Sequence, residues 1–233
     1  MADINAKVLS SKKPLTDIPI EWRDKSFIEV LFTLIEKSLE KKADQAWLID
    51  AETGEKLALK ELHSRVLEAA QALRLKGLKK GDIVHILLPN SIQFHATVFG
   101  VWLLGGIASL ADPSLNDAVL KKQIIDTKTK MVICNEKNLT RVRALAGDTV
   151  LVSSIDWFRK RSDGTKDGLK KYFSELSSSM QDNLVIFWSS GTTGKPKVIN
   201  DGRDTFLVIS SAYYDRTFLW SADIFTSVWQ ENF

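Results

Sequence analysis

The feature that most constrains this chain is a repeated change of period. Segments with apolar residues at helical spacing alternate with short runs that are apolar without interruption. Leu62, Val66, Ala69, Ala70 and Leu73 mark one face of a helix predicted over residues 60–76, and Gly77 is placed to end it in a left-handed conformation. Gly81-Asp82 then turns the chain into a strand over 83–88. Pro89-Asn90 stops that strand, Ser91 is placed to cap a helix reaching 104, and Gly105-Gly106 leads into a strand over 107–111. Asp112-Pro113 marks a turn before a helix over 116–127, a strand over 130–134, a weaker helix over 136–145 and a strand over 149–153. Strands without a polar face are covered on both sides, as in a mostly parallel sheet. The predicted fold class is therefore α/β, a mostly parallel sheet flanked by helices.

The flanks are less regular. Ser26-Phe27-Ile28-Glu29 has the capping-box pattern, and Val30, Leu31, Leu34, Ile35 and Leu39 recur behind it at helical spacing. A short strand over 47–49 and a turn over 51–54 follow. Residues 156–182 form a looser stretch containing Arg159-Lys160-Arg161, read as a solvated surface loop because Asp163 and Asp167 are interspersed. In the tail, Phe206, Leu207, Ile209, Tyr213 and Tyr214 suit one helix face, and Trp220, Phe225 and Trp229 extend the aromatic series; packed or exposed core is the reading preferred to a cofactor pocket.

Composition excludes several classes. The 233 residues are 44% hydrophobic and 26% charged, which is ordinary globular usage and not that of a disordered chain. The 32 Lys and Arg against 29 Asp and Glu leave a net charge of +3, too little to argue for a nucleic-acid partner. A single cysteine, Cys134, allows neither an intramolecular disulfide nor a cysteine zinc cluster, and it is expected to be a buried small hydrophobe in a reducing, cytoplasmic setting. The longest apolar run, 96–111, is broken by glycines and shorter than a bilayer requires, so no membrane span is expected. His63, His85 and His95 are predicted on helix or strand surfaces without metal-ligand spacing, and no metal site is assigned.

One segment carries chemistry. The apolar strand predicted over 184–188 runs into Ser189-Ser190-Gly191-Thr192-Thr193-Gly194-Lys195-Pro196-Lys197. Glycines let backbone N–H groups approach an anion, the four hydroxyls donate to phosphate oxygens, and Lys195 and Lys197 supply positive charge. A loop of this kind after a parallel strand lies at the sheet edge where α/β proteins bind ligands. The segment departs from a Walker loop, which has glycine where Ser189 stands and Ser or Thr where Pro196 stands. There is also no Gly-x-Ser-x-Gly nucleophile elbow.

The order of these nine residues closely resembles the phosphate-binding signature of the adenylate-forming superfamily, which includes acyl-CoA synthetases, 4-coumarate–CoA ligases, luciferases and peptide-synthetase adenylation domains. Further likeness lies in Lys80-Gly81-Asp82 through Pro89-Asn90-Ser91, in Phe99-Gly100-Val101-Trp102 through Gly105-Gly106, and in Ile124 through Ile133. Asp112-Pro113 stands where the family usually has Asn-Pro. The resemblance covers roughly 27–197, with the acyl-CoA and coumarate ligase and luciferase branch nearest.

The resemblance implies an ATP-dependent, AMP-forming activation of a small carboxylic acid, with pyrophosphate released and the acyl group passed to coenzyme A. It also implies Mg²⁺ sharing the phosphate charge. Carried over position by position, it makes Ser189, Ser190, Gly191, Thr192, Thr193, Gly194 and Lys197 the ATP phosphate contacts. Two departures stand out. Val198 replaces the family's usual glycine and would be strained if that position required positive φ. The family's later adenine, ribose and catalytic-lysine motifs are not found in residues 1–233. The expected organisation is an N-terminal extension over 1–25 and a partial adenylation domain over 26–233, without the C-terminal catalytic domain. Such a piece is expected to be inactive alone and to self-associate through uncovered apolar surface. The alternative is a non-catalytic remnant that binds nucleotide phosphates or a partner. A cytoplasmic location is expected, since the peroxisomal tripeptide seen in part of the family does not match Glu231-Asn232-Phe233.

Overall fold

In the computed structural model, residues 19–50, 53–148, 150–154, 172, 183–189 and 197–202 are described. The basic cluster at 159–161 and the aromatic tail beyond 203 lie outside them. A short 3₁₀ turn, Ile20–Trp22, leads to α1 (Phe27–Lys42), whose first turn is closed by the Ser26 hydroxyl accepting from the Glu29 N–H at 3.3 Å. Trp22 is already part of the core, so the packed body begins before Ser26.

The strands β1 (Ala46–Ile49) and β2 (Lys56–Ala58) form an antiparallel ribbon turned through Gly54, whose φ is +72°. After it, α2 (Leu62–Leu75) ends as its sequence predicts, with Gly77 at φ +87°.

Five strands then build a parallel sheet: β3 (Ile83–Leu87), β4 (Ile107–Leu110), β5 (Met131–Cys134), β6 (Leu151–Ser154) and β7 (Asn183–Ser189). A sixth, β8 (Lys197–Gly202), pairs antiparallel with β7 at the edge, and the order across the sheet is β6-β5-β3-β4-β7-β8. The connections run through α3 (Ile92–Leu103), α4 (Asp117–Asp126) and α5 (Glu136–Ala146). Ser91, Asn116 and Asn135 each accept from a backbone N–H in the first turn of the helix they precede.

The period-two alternation of the strands separates two cores. Val84, Ile86, Ala108, Leu110, Met131 and Ile133 join a cluster with α1, α2 and α3. Leu87, Val132, Cys134 and Val152 join another with Leu120 and Ile124 of α4 and Val142 of α5. The sheet is thus covered on both faces, as predicted. The helix after β3 and the helix after β4 lie on opposite faces, so the carboxyl ends of these adjacent strands part at a topological switch point.

The histidines depart from expectation. His63 and His85 are buried, at 5% and 0% exposure, because α2 is covered by its neighbours and β3 is central in a doubly covered sheet. Cys134 is buried as expected, and burial pushes its thiol up to about 11. Val198 lies in β8 in register with Trp188, and among the described residues only Lys128 combines a side chain with positive φ. The strain anticipated for a valine at 198 does not arise, because the position is extended.

Two predictions follow from this packing. A Cβ at Gly100 would stand 2.7 Å from the Ala69 Cβ and 3.0 Å from the Ala70 nitrogen, so α3 and α2 approach through that glycine. Gly100→Ala forces the helices apart and is expected to lower stability by about 1–3 kcal/mol in denaturant unfolding, despite alanine's better helix propensity; a stabilised variant would contradict it.

The second prediction concerns acid. Burial lowers the His85 pKa to about 4, and His95 is lowered by burial against an opposing bond to the Ser91 carbonyl. The unfolded chain binds a proton at His85 below its ordinary value near 6.5, while the native state refuses it until about 4. Stability is therefore complete above pH 6.5 and lost as pH falls to 4, by about 3 kcal/mol from His85. His85→Gln should flatten that part of the urea-unfolding pH profile, and an unchanged slope would contradict the assignment.

Candidate phosphate-binding site

The strand over 184–188 predicted from sequence is β7, one residue longer at each end. Ser189 is its last residue and Lys197 the first of β8, and the two are register partners. The intervening Ser190, Gly191, Thr192, Thr193, Gly194, Lys195 and Pro196 lie outside the described residues, as do the side chains of Ser189 and Lys197. What the structure fixes is the frame. The loop connects two antiparallel strands and leaves the carboxyl end of β7, immediately beside β4 and the switch point.

The frame is tied from both faces of the sheet. On the α3 side, the Trp102 indole N–H donates to the Leu184 carbonyl of β7 at 2.7 Å. Trp102 is itself set by Phe27, at 5.5 Å between centroids, and by Phe99, at 5.6 Å. On the opposite side, the Trp188 indole N–H donates to the Ser109 Oγ at 3.3 Å, and that oxygen lies 3.0 Å from His85 Nδ1. All three side chains are buried.

The neighbouring connection at the carboxyl edge is also held. Arg141 of α5 donates through Nε to Asp117 at 2.7 Å, through Nη1 to the Pro113 carbonyl at 3.3 Å, and through Nη2 to the Leu115 carbonyl. Asp112 accepts from the Ser114 N–H at 2.7 Å, closing the turn that Asp112-Pro113 begins. No local pattern around Arg141 marks this latch, because its partners lie in a different segment. The Trp188–Ser109–His85 chain escaped sequence reading for the same reason.

The donor set is suited to a polyphosphate. Hydroxyls, glycine N–H groups and lysines offer hydrogen-bond donors and positive charge, with no carboxylate among residues 189–197. Among the described residues no three His, Cys, Asp or Glu side chains gather as a metal site. A cavity of about 300 Å³ lies at the other edge of the sheet, beside the segment preceding β3. It is lined by Arg74, Leu78, Lys79, Lys80, Leu103, Leu104 and Tyr172, with Arg74 stacked 4.7 Å over the Tyr172 ring.

The likeness to known proteins agrees with this frame. The 4-coumarate–CoA ligase 1 of Narcissus pseudonarcissus is 28% identical over 172 residues, covering 69% of this chain and 30% of that protein. An acetyl-coenzyme A synthetase of Shewanella amazonensis is 22% identical over 252 residues, covering 92% of this chain and 39% of that protein. The ATP-bound crystal structure of MatB from Rhodopseudomonas palustris shares the fold, with a TM-score of 0.63 and 22% identity over 79% of this chain and 37% of that one. The chain spans well under half the length of each. No helix among the described residues is long and apolar enough to cross a membrane. The sequence model of the AMP-binding enzymes matches residues 35–200, more than half of the chain and all of β7, the loop and the start of β8, and the chain belongs to that family.

Proposed function

We propose that this chain supplies the ATP phosphate-binding part of an AMP-forming carboxylate–CoA ligase. The observation that carries the reading is the position of the Ser189–Lys197 segment. It joins β7 to β8 at the carboxyl edge, next to the switch point, inside the stretch matched by the family model. In the proposed reaction a carboxylate oxygen attacks the α-phosphorus of ATP, the bond to the β-phosphate oxygen breaks, and pyrophosphate departs. The thiol of coenzyme A then attacks the acyl carbon and displaces AMP. Negative charge grows on the departing pyrophosphate, and donors already aimed at it lower the barrier.

In this reading Ser189, Ser190, Thr192 and Thr193 donate hydroxyl hydrogen bonds to the phosphates. Gly191 and Gly194 let backbone N–H groups come close, and Lys197 provides the fixed positive charge. Mg²⁺ bound with the nucleotide would share that charge. The substrate class proposed is a small carboxylic acid, and the setting proposed is the cytoplasm, in keeping with the buried thiol of Cys134. Residues 1–233 alone are proposed to bind phosphates without completing adenylation, since the adenine, ribose and catalytic-lysine motifs have no counterpart in them.

Lys197 and Lys195 are distinguishable. Lys197 is the first residue of β8, in register with Ser189, and it stands at the second lysine position of the signature, which the resemblance makes the phosphate contact, whereas Lys195 stands at the first. Lys197→Ala is expected to weaken MgATP binding by about tenfold or more, the scale of one charge-assisted hydrogen bond, and Lys195→Ala by less. Calorimetric titration of the two variants checks this; equal losses, or binding indifferent to both, would remove the loop from the site. Carboxylate-dependent ATP–pyrophosphate exchange by residues 1–233 is expected to stay far below about 1 s⁻¹, and exchange at that rate would overturn the division of labour.

A further inference from the structure

The loop-bearing end of β7 is poorly laddered to the sheet it belongs to. Only Ala108↔Val185 and Ser109↔Ile186 pair β4 with β7. Among the described residues, Phe187, Trp188 and Ser189 continue toward the loop paired to β8 alone, and β8 is the outermost strand of the sheet. A two-stranded hairpin holds its own orientation weakly. A side-chain tie to the parallel strands would fix where the end of β7 points.

The Trp188 side chain supplies that tie, and the direction of its hydrogen bonds can be worked out. An indole N–H only donates, so the Ser109 Oγ at 3.3 Å accepts from it. Ser109 then has one proton to place, and His85 Nδ1 stands 3.0 Å away on the adjacent strand, its residue in register with Ser109. If the hydroxyl donates to Nδ1, one polar atom of the set is left over, His85 Nε2, which has no partner among the described residues. If Nδ1–H donated to the hydroxyl oxygen, the Ser109 proton would be stranded as well. Buried unmade hydrogen bonds are expensive, so the first arrangement wins. It requires a neutral imidazole protonated at Nε2, and complete burial keeps the imidazole neutral.

We propose that Ser109 and His85 are positioning residues for the phosphate loop: the chain from the Trp188 N–H through the Ser109 hydroxyl to His85 Nδ1 spans β7, β4 and β3 and holds at the carboxyl edge of the sheet the end of β7 that β4 does not ladder. Both residues are completely buried and reach the loop only through Trp188. Trp102 secures the other end of β7 through the Leu184 carbonyl, so the strand is fixed at two points on opposite faces. The proposal rests on the phosphate-binding reading for its functional consequence and on the sheet geometry alone for its mechanical one.

The test uses the whole chain with Ser109→Ala, Trp188→Phe and the double variant. Trp188→Phe keeps an aromatic ring in place and is the milder change if Ser109→Ala folds poorly. Val142→Ala, in the core beneath α5, serves as a control that loses stability without touching the chain of hydrogen bonds. Each single variant is expected to weaken MgATP binding by about tenfold, the double variant little further, and the control not at all. Hydrogen exchange of the ligand-free variants should speed up at the amides of residues 187–189 while residues 83–87 stay protected. Unchanged exchange at 187–189 overturns the proposal. So does wild-type affinity in variants that have merely lost stability. A wild-type chain that fails to bind MgATP would sink the phosphate-binding reading instead, and the exchange comparison would still decide whether these residues hold the strand.

Discussion

The rest of the structure depends on the burial of a parallel sheet between two layers of helices. Strands covered on both faces have no solvent for any polar side chain they carry, and each such group is costly unless it is answered from within. That single constraint explains features that otherwise look unrelated. It leaves the strands largely apolar, it packs α2 against α3 through Gly100, and it leaves His85 and Ser109 to bond to each other and to Trp188. It also separates the helices after β3 and β4 onto opposite faces, which opens the carboxyl edge where the loop emerges.

Much of this was legible in the sequence because the signals are local. The strands β3, β4, β5 and β6 fall within a residue or two of their predicted spans, and Ser26, Ser91 and Gly77 act in the turns they were assigned to. Apolar runs, capping hydroxyls and helix-ending glycines report on their own neighbourhoods. The short strand β2 and the antiparallel β8 were not anticipated. Lys56–Ala58 is too brief to show a period, and Lys197–Gly202 mixes charged, amide and apolar residues because it closes an edge.

The candidate site divides the same way. The order of residues 189–197 is a local pattern and points to phosphate chemistry without any structure. The groups that bond to β7, the strand leading into that segment, lie far from it in sequence: Ser109 precedes Trp188 by 79 residues, and Trp102 precedes Leu184 by 82. Arg141 reaches its latch on the β4–α4 connection across 24 to 28 residues. Histidines misplaced on surfaces by sequence reading were misplaced for this reason, since an element's exposure is decided by what packs on it. The pattern behind the proposed chemistry thus lies in one short segment, while the contacts that frame it are distributed over three strands and two helices.

The central claim is that the segment from Ser189 to Lys197 grips the phosphates of ATP. The most direct measurement is the backbone amide NMR response of Gly191 and Gly194 to MgATP and to magnesium pyrophosphate. The account predicts large, saturable shifts of both amides with either ligand, together with slower hydrogen exchange as charge-assisted bonds form. Shifts confined to other parts of the chain, or glycine amides that ignore both ligands at saturation, would contradict it.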